Sequence, residues 1–350
     1  MPLPGLGVAP AAGSLYNELA AATRRAFVPR LFVQIYYGSP GLFYMTGNAQ
    51  RAAGGLNQIT VPMQGQSMVQ GQFTGYGGGF NSPNITSGVQ NGQWNLAYWV
   101  VPVPLPFGET IIQATDREIS LLKARMNDVY AVTRQNMATL MFTNNAANSL
   151  YPNSFQDAFD NGTNFPTYGG ISRNASGNSA FKGQYINGAS LSGGSGSTVS
   201  VQGFNRKSMA TALAKITDAA GGEAPTFVIM SPGDYATLNT DFIGNETQFV
   251  NPSGGYTMDT NVRSSFPNLN VSGVPIFADH FCPAGNAYFV NVKYTAMYLS
   301  EDAAFDFSGF YSLVPLGQIG QQGVVVVGYD IVTAKSSSGA WVYNIGGAAF

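Results

Sequence analysis

The chain has 350 residues, 45% of them hydrophobic and only 10% Asp, Glu, Lys or Arg, with a formal net charge of −2. A soluble domain usually carries about 25% charged residues, so this surface is solvated mainly by uncharged Gln, Asn, Ser, Thr and Gly. The apolar content excludes a disordered chain, and the single cysteine, Cys282, excludes an intramolecular disulfide framework.

The amino-terminal stretch MPLPGLGVAPAAG lacks the basic start and continuous apolar run of a signal peptide. No stretch approaches the roughly 18 to 20 apolar residues needed to cross a bilayer, so no membrane partner is expected, and VVVV at 324–327 reads as a strand. The expected compartment is a reducing cytoplasm. Charge is unevenly placed: Arg24, Arg25, Arg30 and Arg51 face a single Glu18 in the first 51 residues, whereas residues 218–350 hold eleven acids against Arg263, Lys293 and Lys335. Such polarity orients a subunit or turns a basic arm toward nucleic acid or an acidic neighbour. Four arginines are too few for sequence-specific recognition of nucleic acid.

In chain order, residues 1–55 read as an arm. A short helical candidate, LYNELAAATRRAF, is followed by the extended aromatic run 31–37 and a Gly-Ser-Pro-Gly turn. An arm this apolar is expected to lie along the body of its own or a neighbouring subunit. From Ala52 to Gly108 there is no Asp, Glu, Lys, Arg or His. The strands LNQITVPMQ and SMVQGQF lead into the tip TGYGGGFNSPN and return through QWNLAYWVVPVPLP, a long hairpin without charges to repel partners. Pro102, Pro104 and Pro106 suit an edge strand and not a central ladder.

The clearest element spans 110–142. Thr110 with Gln113 fits a capping box, and Ile111, Thr115, Ile119, Leu122, Met126, Val129, Thr133, Met137 and Leu140 recur at helical spacing. Asp116, Arg117, Glu118, Lys123, Arg125, Asp128 and Arg134 mark the opposite face. At 1.5 Å per residue, roughly 32 residues span about 48 Å. Thr and Ala share a seam poor in Leu, which favours packing across a sheet over a coiled coil. Residues 144–203 read as a Gly-, Asn- and Ser-rich loop region broken by Phe155, Phe159, Phe165 and Tyr168, with GASLSGGSGSTVSVQG flexible or extended and not a domain core. A second helix is predicted from Asn205 or Arg206 to Asp218, burying Met209, Leu213 and Ile216 and stopped by Gly221-Gly222. PTFVIM reads as a buried strand, with Ser231-Pro232 opening a short helix through Tyr235 and Leu238. VSGVPIFAD, NAYFVNVKYTAMYLS, SLVPLG, GVVVVGYDIVTA and GAWVYNIG follow as β-rich runs. The class is α+β with extensions, not a sandwich or barrel.

Residues that carry chemistry are scarce. Asp279, His280 and Cys282 offer O, N and S atoms, but alternate strand residues point to opposite faces and further His or Cys ligands are missing, so the cluster reads as structural. A Cys–His nucleophile lacks an orienting partner. Glu301, Asp302 and Asp306 lack the alternating oxygens of a calcium loop and read as a surface turn. GYGGG at 75–79 has no following Gly-Lys-Ser/Thr and fails as a phosphate cradle. No catalytic, cofactor-binding or metal-binding residue and no cofactor is expected, and the chain reads as a non-enzyme.

The stretches VPVPLPFGETIIQATDREISLLKARMNDVYAVTRQNMATLMFTN, DAFDNGTNFPTYGGISRNASGNSAFKG, TFVIMSPGDYATL and VSGVPIFADHFCPAGNAYFVNVKYTAMYL, about half the chain, resemble in order the major capsid protein of tailed bacteriophages with the Hong Kong 97-type fold. The resemblance implies an N-terminal arm at 1–55 and an extended β-hairpin loop at 56–108. It implies a peripheral domain at 109–203 with spine helix 110–142, an axial domain at 204–305 and returning peripheral-domain strands at 306–350. It further implies pentamers and hexamers closing into an icosahedral shell around double-stranded DNA, with scaffolding, portal and decoration proteins as partners and the virion as location. Some relatives carry a long, charged, helical scaffolding segment ahead of the arm, and the resemblance leaves both a separate and a cleaved scaffold open. Others crosslink through a loop lysine, and residues 52–108 contain none. Residues 186–203 resemble a small insertion. The alternative is another phage structural protein: a tail tube, fibre or decoration protein.

Overall fold

The computed structural model describes residues 39–52, 58–64, 89–106, 115–175, 178, 181–192, 205–245, 268–313 and 320–345. The expected arm helix, the run 31–37, the strand SMVQGQF and the GYGGG tip lie outside the described residues. Where a Gly-Ser-Pro-Gly turn was expected, the chain instead opens helix α1, Pro40–Gly47. Ser39 is its cap, with Oγ accepting from the Leu42 amide at 3.2 Å, and Pro40 sits in the first turn, where its missing N–H costs nothing. Leu42 and Met45 are fully buried, so this part of the arm belongs to the body.

Strand β1, Gln50–Ala52, leads to β2, Gln58–Gln64, and β3, Val89–Asn95, which form an antiparallel ladder from Gln58 opposite Asn95 to Gln64 opposite Val89. This is the root of the expected hairpin. Strand β4, Ala97–Pro106, follows, and then the long helix α2, Thr115–Leu140. The expected start at 110 and its Thr110–Gln113 cap lie outside the described residues. The α-helical span ends at Leu140, and the bond from the Phe142 amide to the Thr139 carbonyl tightens the following turn. Met126, Val129, Thr133, Met137 and Leu140 are buried as their period requires, and Asp128 is exposed. The helix lies against β4, whose Val101 and Val103 face inward, and Arg125 Nη1 donates to the Pro104 carbonyl. Helix-on-sheet packing is therefore the arrangement.

The described residues of 145–192 are irregular, as expected, but the segment sends Phe155, Phe159, Tyr168, Ile171 and Phe181 into the core while residues 148–151 stay exposed. Helix α3, Phe155–Phe159, carries a complete capping box between Ser154 and Asp157. Strands β5, Thr167–Tyr168, and β6, Ile171–Ser172, turn through Gly169 and Gly170, both at positive φ, and β7 is Gln184–Asn187. The organiser is Arg173, fully buried. It donates from Nε to Phe181 O (3.1 Å), from Nη1 to Phe165 O (3.2 Å), and from Nη2 to Asp157 O (2.7 Å) and Ala158 O (2.9 Å). The guanidinium also stacks over the Tyr168 ring at 4.8 Å. One cation thus satisfies carbonyls from segments that have no ladder of their own.

Helix α4, Arg206–Ala219, is capped by Asn205, buries Met209, Leu213 and Ile216, and ends before Gly221 and Gly222, at φ 77° and 95°. All four residues of β8, Phe227–Met230, are buried. Helix α5, Pro232–Asn245, runs beyond the expected end at Leu238. Strands β9, Asn268–Val271, and β10, Val274–Ala278, turn through Ser272 and Gly273, both at positive φ. β11, Asn286–Val290, β12, Thr295–Ser312, β13, Gly320–Thr333, and β14, Ala340–Tyr343, complete the fold.

Two main sheets result. One has the order β1-β12-β13-β4 and the other β7-β14-β11-β8-β10-β9. β4 is an edge strand, the position its prolines demand. The 305/306 division implied by the resemblance falls inside β12, and β14 joins the six-stranded sheet. That sheet is covered on both faces. Phe227 and Ile229 of β8 point into the core shared with α2 and the four-stranded sheet, while Val228 and Met230 point into the core under α4.

Replacing Val129 with Asp puts a carboxylate on the buried face of α2. The expected loss of unfolding free energy is about 3 kcal/mol by urea titration. An unchanged midpoint would show that this face is not buried.

Candidate functional site

Asp279, at the end of β10, is fully buried and turned toward the start of α1. Its Oδ2 accepts from the Gly41 amide at 3.2 Å and from Ser39 Oγ, and Oδ1 accepts from the Phe281 amide at 3.0 Å. Burial raises its carboxyl above the ordinary range while these hydrogen bonds oppose the rise. Cys282 is buried, with Sγ 3.7 Å from Asn286 O, and burial pushes its thiol well up, away from the thiolate a nucleophile needs. His280 is exposed and edge-on to Phe281. The three side chains thus diverge. Glu301, Asp302 and Asp306 lie exposed along β12 where its pairing with β13 shifts register, in a bulged strand and not in a turn. Among the described residues no group of three or more His, Cys, Asp or Glu is placed to hold a metal ion.

A different polar cluster sits where the hairpin root meets the body. Asp330 of β13 is fully buried and accepts from Asn153 N at 2.6 Å and Asn153 Nδ2 at 2.8 Å. Burial pushes its carboxyl up to about 7 against the pull of these bonds, and Asp157 nearby adds to the rise. Asp157, also raised by burial, accepts through Oδ2 from the amides of Asn145 (3.1 Å) and Ser154 (2.9 Å). The Tyr168 hydroxyl accepts from Thr333 N at 3.1 Å and donates to Ile331 O at 3.4 Å, pinning the β5–β6 turn to β13. On the other side of that turn the Gln93 amide donates to Gly169 O at 2.9 Å.

Trp94 fills the angle between them, edge-on to Tyr168 at 5.2 Å. Gly169 is dictated by this contact as well as by its φ of +57°, since a Cβ there would lie 2.5 Å from the indole Cζ2. Beside Trp94 opens a cavity of about 350 Å³, walled by Gln93, Asn95, Asn145, Asn153 and Asp157. Tyr151 links it to a second hollow of about 340 Å³ bordered by Trp99, Val132, Asn136 and Leu140. Neither wall holds Lys, Arg, His or Cys. Their polar lining consists of amide and hydroxyl side chains and the Asp157 carboxylate.

Sequence reasoning passed over this cluster. The available signal was Asp330 itself, a lone acid in the apolar run GVVVVGYDIVT. Exposed apolar side chains surround the region: Val132 at 47%, Leu150 at 78% and Tyr151 at 36%, with Tyr98 and Val100 on the face of β4 turned from α2.

No protein-family model and no curated protein sequence matches this chain. Solved structures do. The chain is similar to a protein of the cyanophage A-1(L) capsid asymmetric unit, with TM-score 0.61 and 16% identity over 88% of this chain and 93% of the other. Capsids of native and empty GTA particles each match with TM-score 0.50, at 11% and 12% identity, over 85% of this chain. The chain has a mixed α+β, capsid-like fold.

Asp330 titrates near 4 when unfolded and about 7 when folded. Between these values the native state holds a proton that the unfolded chain has released. Its contribution is therefore full below about pH 4 and lost as pH rises to about 7. Asp157 and Asp279, raised in the same direction, act with the same sign. Urea midpoints measured from pH 4 to 8 are expected to carry this downward component, and Asp330→Asn is expected to reduce it. An identical pH dependence in both proteins would contradict the assignment.

Proposed function

We propose that the chain is the major capsid protein of a tailed bacteriophage with the Hong Kong 97-type fold. It self-assembles as pentamers and hexamers into an icosahedral shell around double-stranded DNA. The observation that carries this reading is the nearly end-to-end correspondence with a cyanophage capsid protein, 88% of one chain on 93% of the other. In this reading α2 is the spine helix and, with the four-stranded sheet, forms the peripheral domain. The six-stranded sheet with α4 and α5 forms the axial domain, residues 1–55 the arm and 56–108 the extended loop. Scaffolding, portal and decoration proteins are its partners, assembly takes place in the bacterial cytoplasm, and the DNA is approached without sequence specificity.

The chemistry of the chain supports the same reading. An interface between subunits gains from apolar area, at roughly 25 cal/mol per Å² before entropy is deducted, and loses wherever an unpaired charge is desolvated. A 52–108 span without acids or bases avoids the second cost. Repetition over many modest contacts then stabilises a shell without any exceptional interface.

Expressed and purified, the chain is expected to give closed shells with five- and six-fold clusters in negative-stain micrographs. Rings, rods or trimers without closed shells would favour a tail tube, fibre or decoration protein, and a protein monomeric at every concentration would overturn assembly altogether.

A further inference from the structure

Hydrogen bonds run through three side chains from the interior of β13 to the wall of the polar cavity. Asp330 is fully buried; its Oδ1 accepts from the Asn153 backbone amide at 2.6 Å and its Oδ2 from Asn153 Nδ2 at 2.8 Å. Asn153 Oδ1 in turn accepts from Asn145 Nδ2 at 3.0 Å, and both asparagines border the cavity. The Asn145 backbone amide donates to Asp157 Oδ2 at 3.1 Å, which fixes that residue in place. This order of donors and acceptors is the one an ionised Asp330 requires. A carboxylate only accepts, so it draws the Nδ2 end of the Asn153 amide toward itself and turns the oxygen toward Asn145.

A protonated Asp330 requires the opposite order. Its O–H must find an acceptor, since a buried hydroxyl left unpaired forfeits its hydration. The group at Oδ2 is the Asn153 Nδ2, and an NH2 cannot accept. A half turn of that amide brings its Oδ1 to the new O–H. Its Nδ2 then points at Asn145, whose amide must turn as well to offer an oxygen. Both states hold the same number of hydrogen bonds, and the backbone bonds at Asn153 and Asn145 persist throughout. The neighbouring groups do not compete for this role. Tyr168 of β5, Tyr329 beside Asp330 and Tyr298 opposite it on β12 are all raised by burial and stay neutral. Arg173 of β6, lowered by burial, remains a cation. Asp157 of α3 is also raised by burial, but it bonds Asn145 through the backbone, so its own titration leaves the Asn145 side chain where it is. Burial brings Asp330 up to about 7 against the pull of the Asn153 bonds, and Asp157 adds to the rise. We propose that Asp330 is a proton-operated switch that turns the Asn153 and Asn145 amides over in concert, so that Asn145 offers the cavity a carbonyl oxygen when Asp330 is ionised and an NH2 when it is neutral. The proton comes from solvent and returns to it, and nothing in the switch depends on how copies of the chain assemble.

The test follows the full chain by magic-angle-spinning NMR, which serves assembled and unassembled protein alike, with Asp carboxyl carbons and Asn side-chain nitrogens labelled. The Asp330 carboxyl resonance is expected to titrate near neutrality. Hydrogen exchange of the Asn145 NH2, expressed relative to free asparagine at the same pH, should speed up about tenfold between about pH 8.5 and about pH 5.5, the effect of one lost hydrogen bond. Its midpoint should coincide with that of the Asp330 carboxyl. The Asn153 NH2 and the backbone amides of 145–157 should stay protected throughout, because the switch turns side chains and opens no backbone. In Asp330→Asn, neutral at every pH, the Asn145 rate on this scale should be constant. An Asn145 rate that is constant in the unmodified chain, or that follows another midpoint, would overturn the switch even if the variant failed to fold. So would loss of backbone protection in step with Asn145, which marks local opening, or an Asp330 carboxyl that keeps one form across the range.

Discussion

The two sheets are held together at one waist, and the placement of everything else depends on it. The chain leaves the six-stranded sheet after Val290 and enters the four-stranded sheet at Thr295, then returns from Thr333 to β14 at Ala340. At that crossing the hydroxyls of Thr295 and Thr333 meet at 3.1 Å, fully buried, and the Ala334 amide donates to Tyr294 O at 2.9 Å. Two covalent crossovers a few ångströms apart leave little freedom for one sheet to turn on the other. Tyr168 donates to and accepts from the same strand end, so the hairpin root and the Arg173-organised segment are referenced to the waist as well. The long β12–β13 ribbon extends from it toward the bulges at 299–310, where Phe305 takes a positive φ.

How much of this the sequence disclosed depends on the range of the interaction involved. Local signals carried well. Asn205 and Gly221-Gly222 bracketed α4, the Ser231-Pro232 pair opened α5, the buried face of α2 followed its 3.6-residue period, and three prolines placed β4 at an edge. Each rests on backbone chemistry within a few residues. The irregular segment 145–192 did not disclose its burial, because its order comes from Arg173 reaching carbonyls at Asp157, Ala158, Phe165 and Phe181. Composition there reads as loop, and nothing in the spacing says that an arginine will be enclosed. The Ser39-Pro40 cap was read as a turn for a related reason. Its helix is fixed from 240 residues away, by Asp279.

The same distance dependence governed the candidate site. Asp279, His280 and Cys282 attracted attention because they are adjacent in sequence, yet the strand end sends them to different environments. Asp157, Tyr168 and Asp330 come from three separate segments and meet only through the β13 ladder and the turns pinned to it. The two tryptophans beside them, Trp94 and Trp99, were legible as strand residues and not as cavity walls, since that depends on which loop the hairpin root packs against.

Part of the little charge that this protein carries is turned inward. Against 16 Lys and Arg and 18 Asp and Glu in the whole chain, Asp157, Asp160, Asp234, Asp279, Asp330 and Arg173 are withdrawn into the interior. Each spends its hydrogen-bonding capacity mainly on irregular backbone. Asp160 alone accepts from the amides of Gly162, Asn164 and Phe165, and Asp234 takes the Gly285 amide. A carboxylate accepts several N–H bonds at once, so one acid can order a turn that has neither helix nor ladder to satisfy it. Using charges in this way stabilises long irregular segments without a larger apolar core. It also takes six charges off the outside, where a neighbouring surface can approach without having to desolvate or match them. In this chain the internal ordering of loops and the removal of these six charges from the exterior are two results of one distribution of charge.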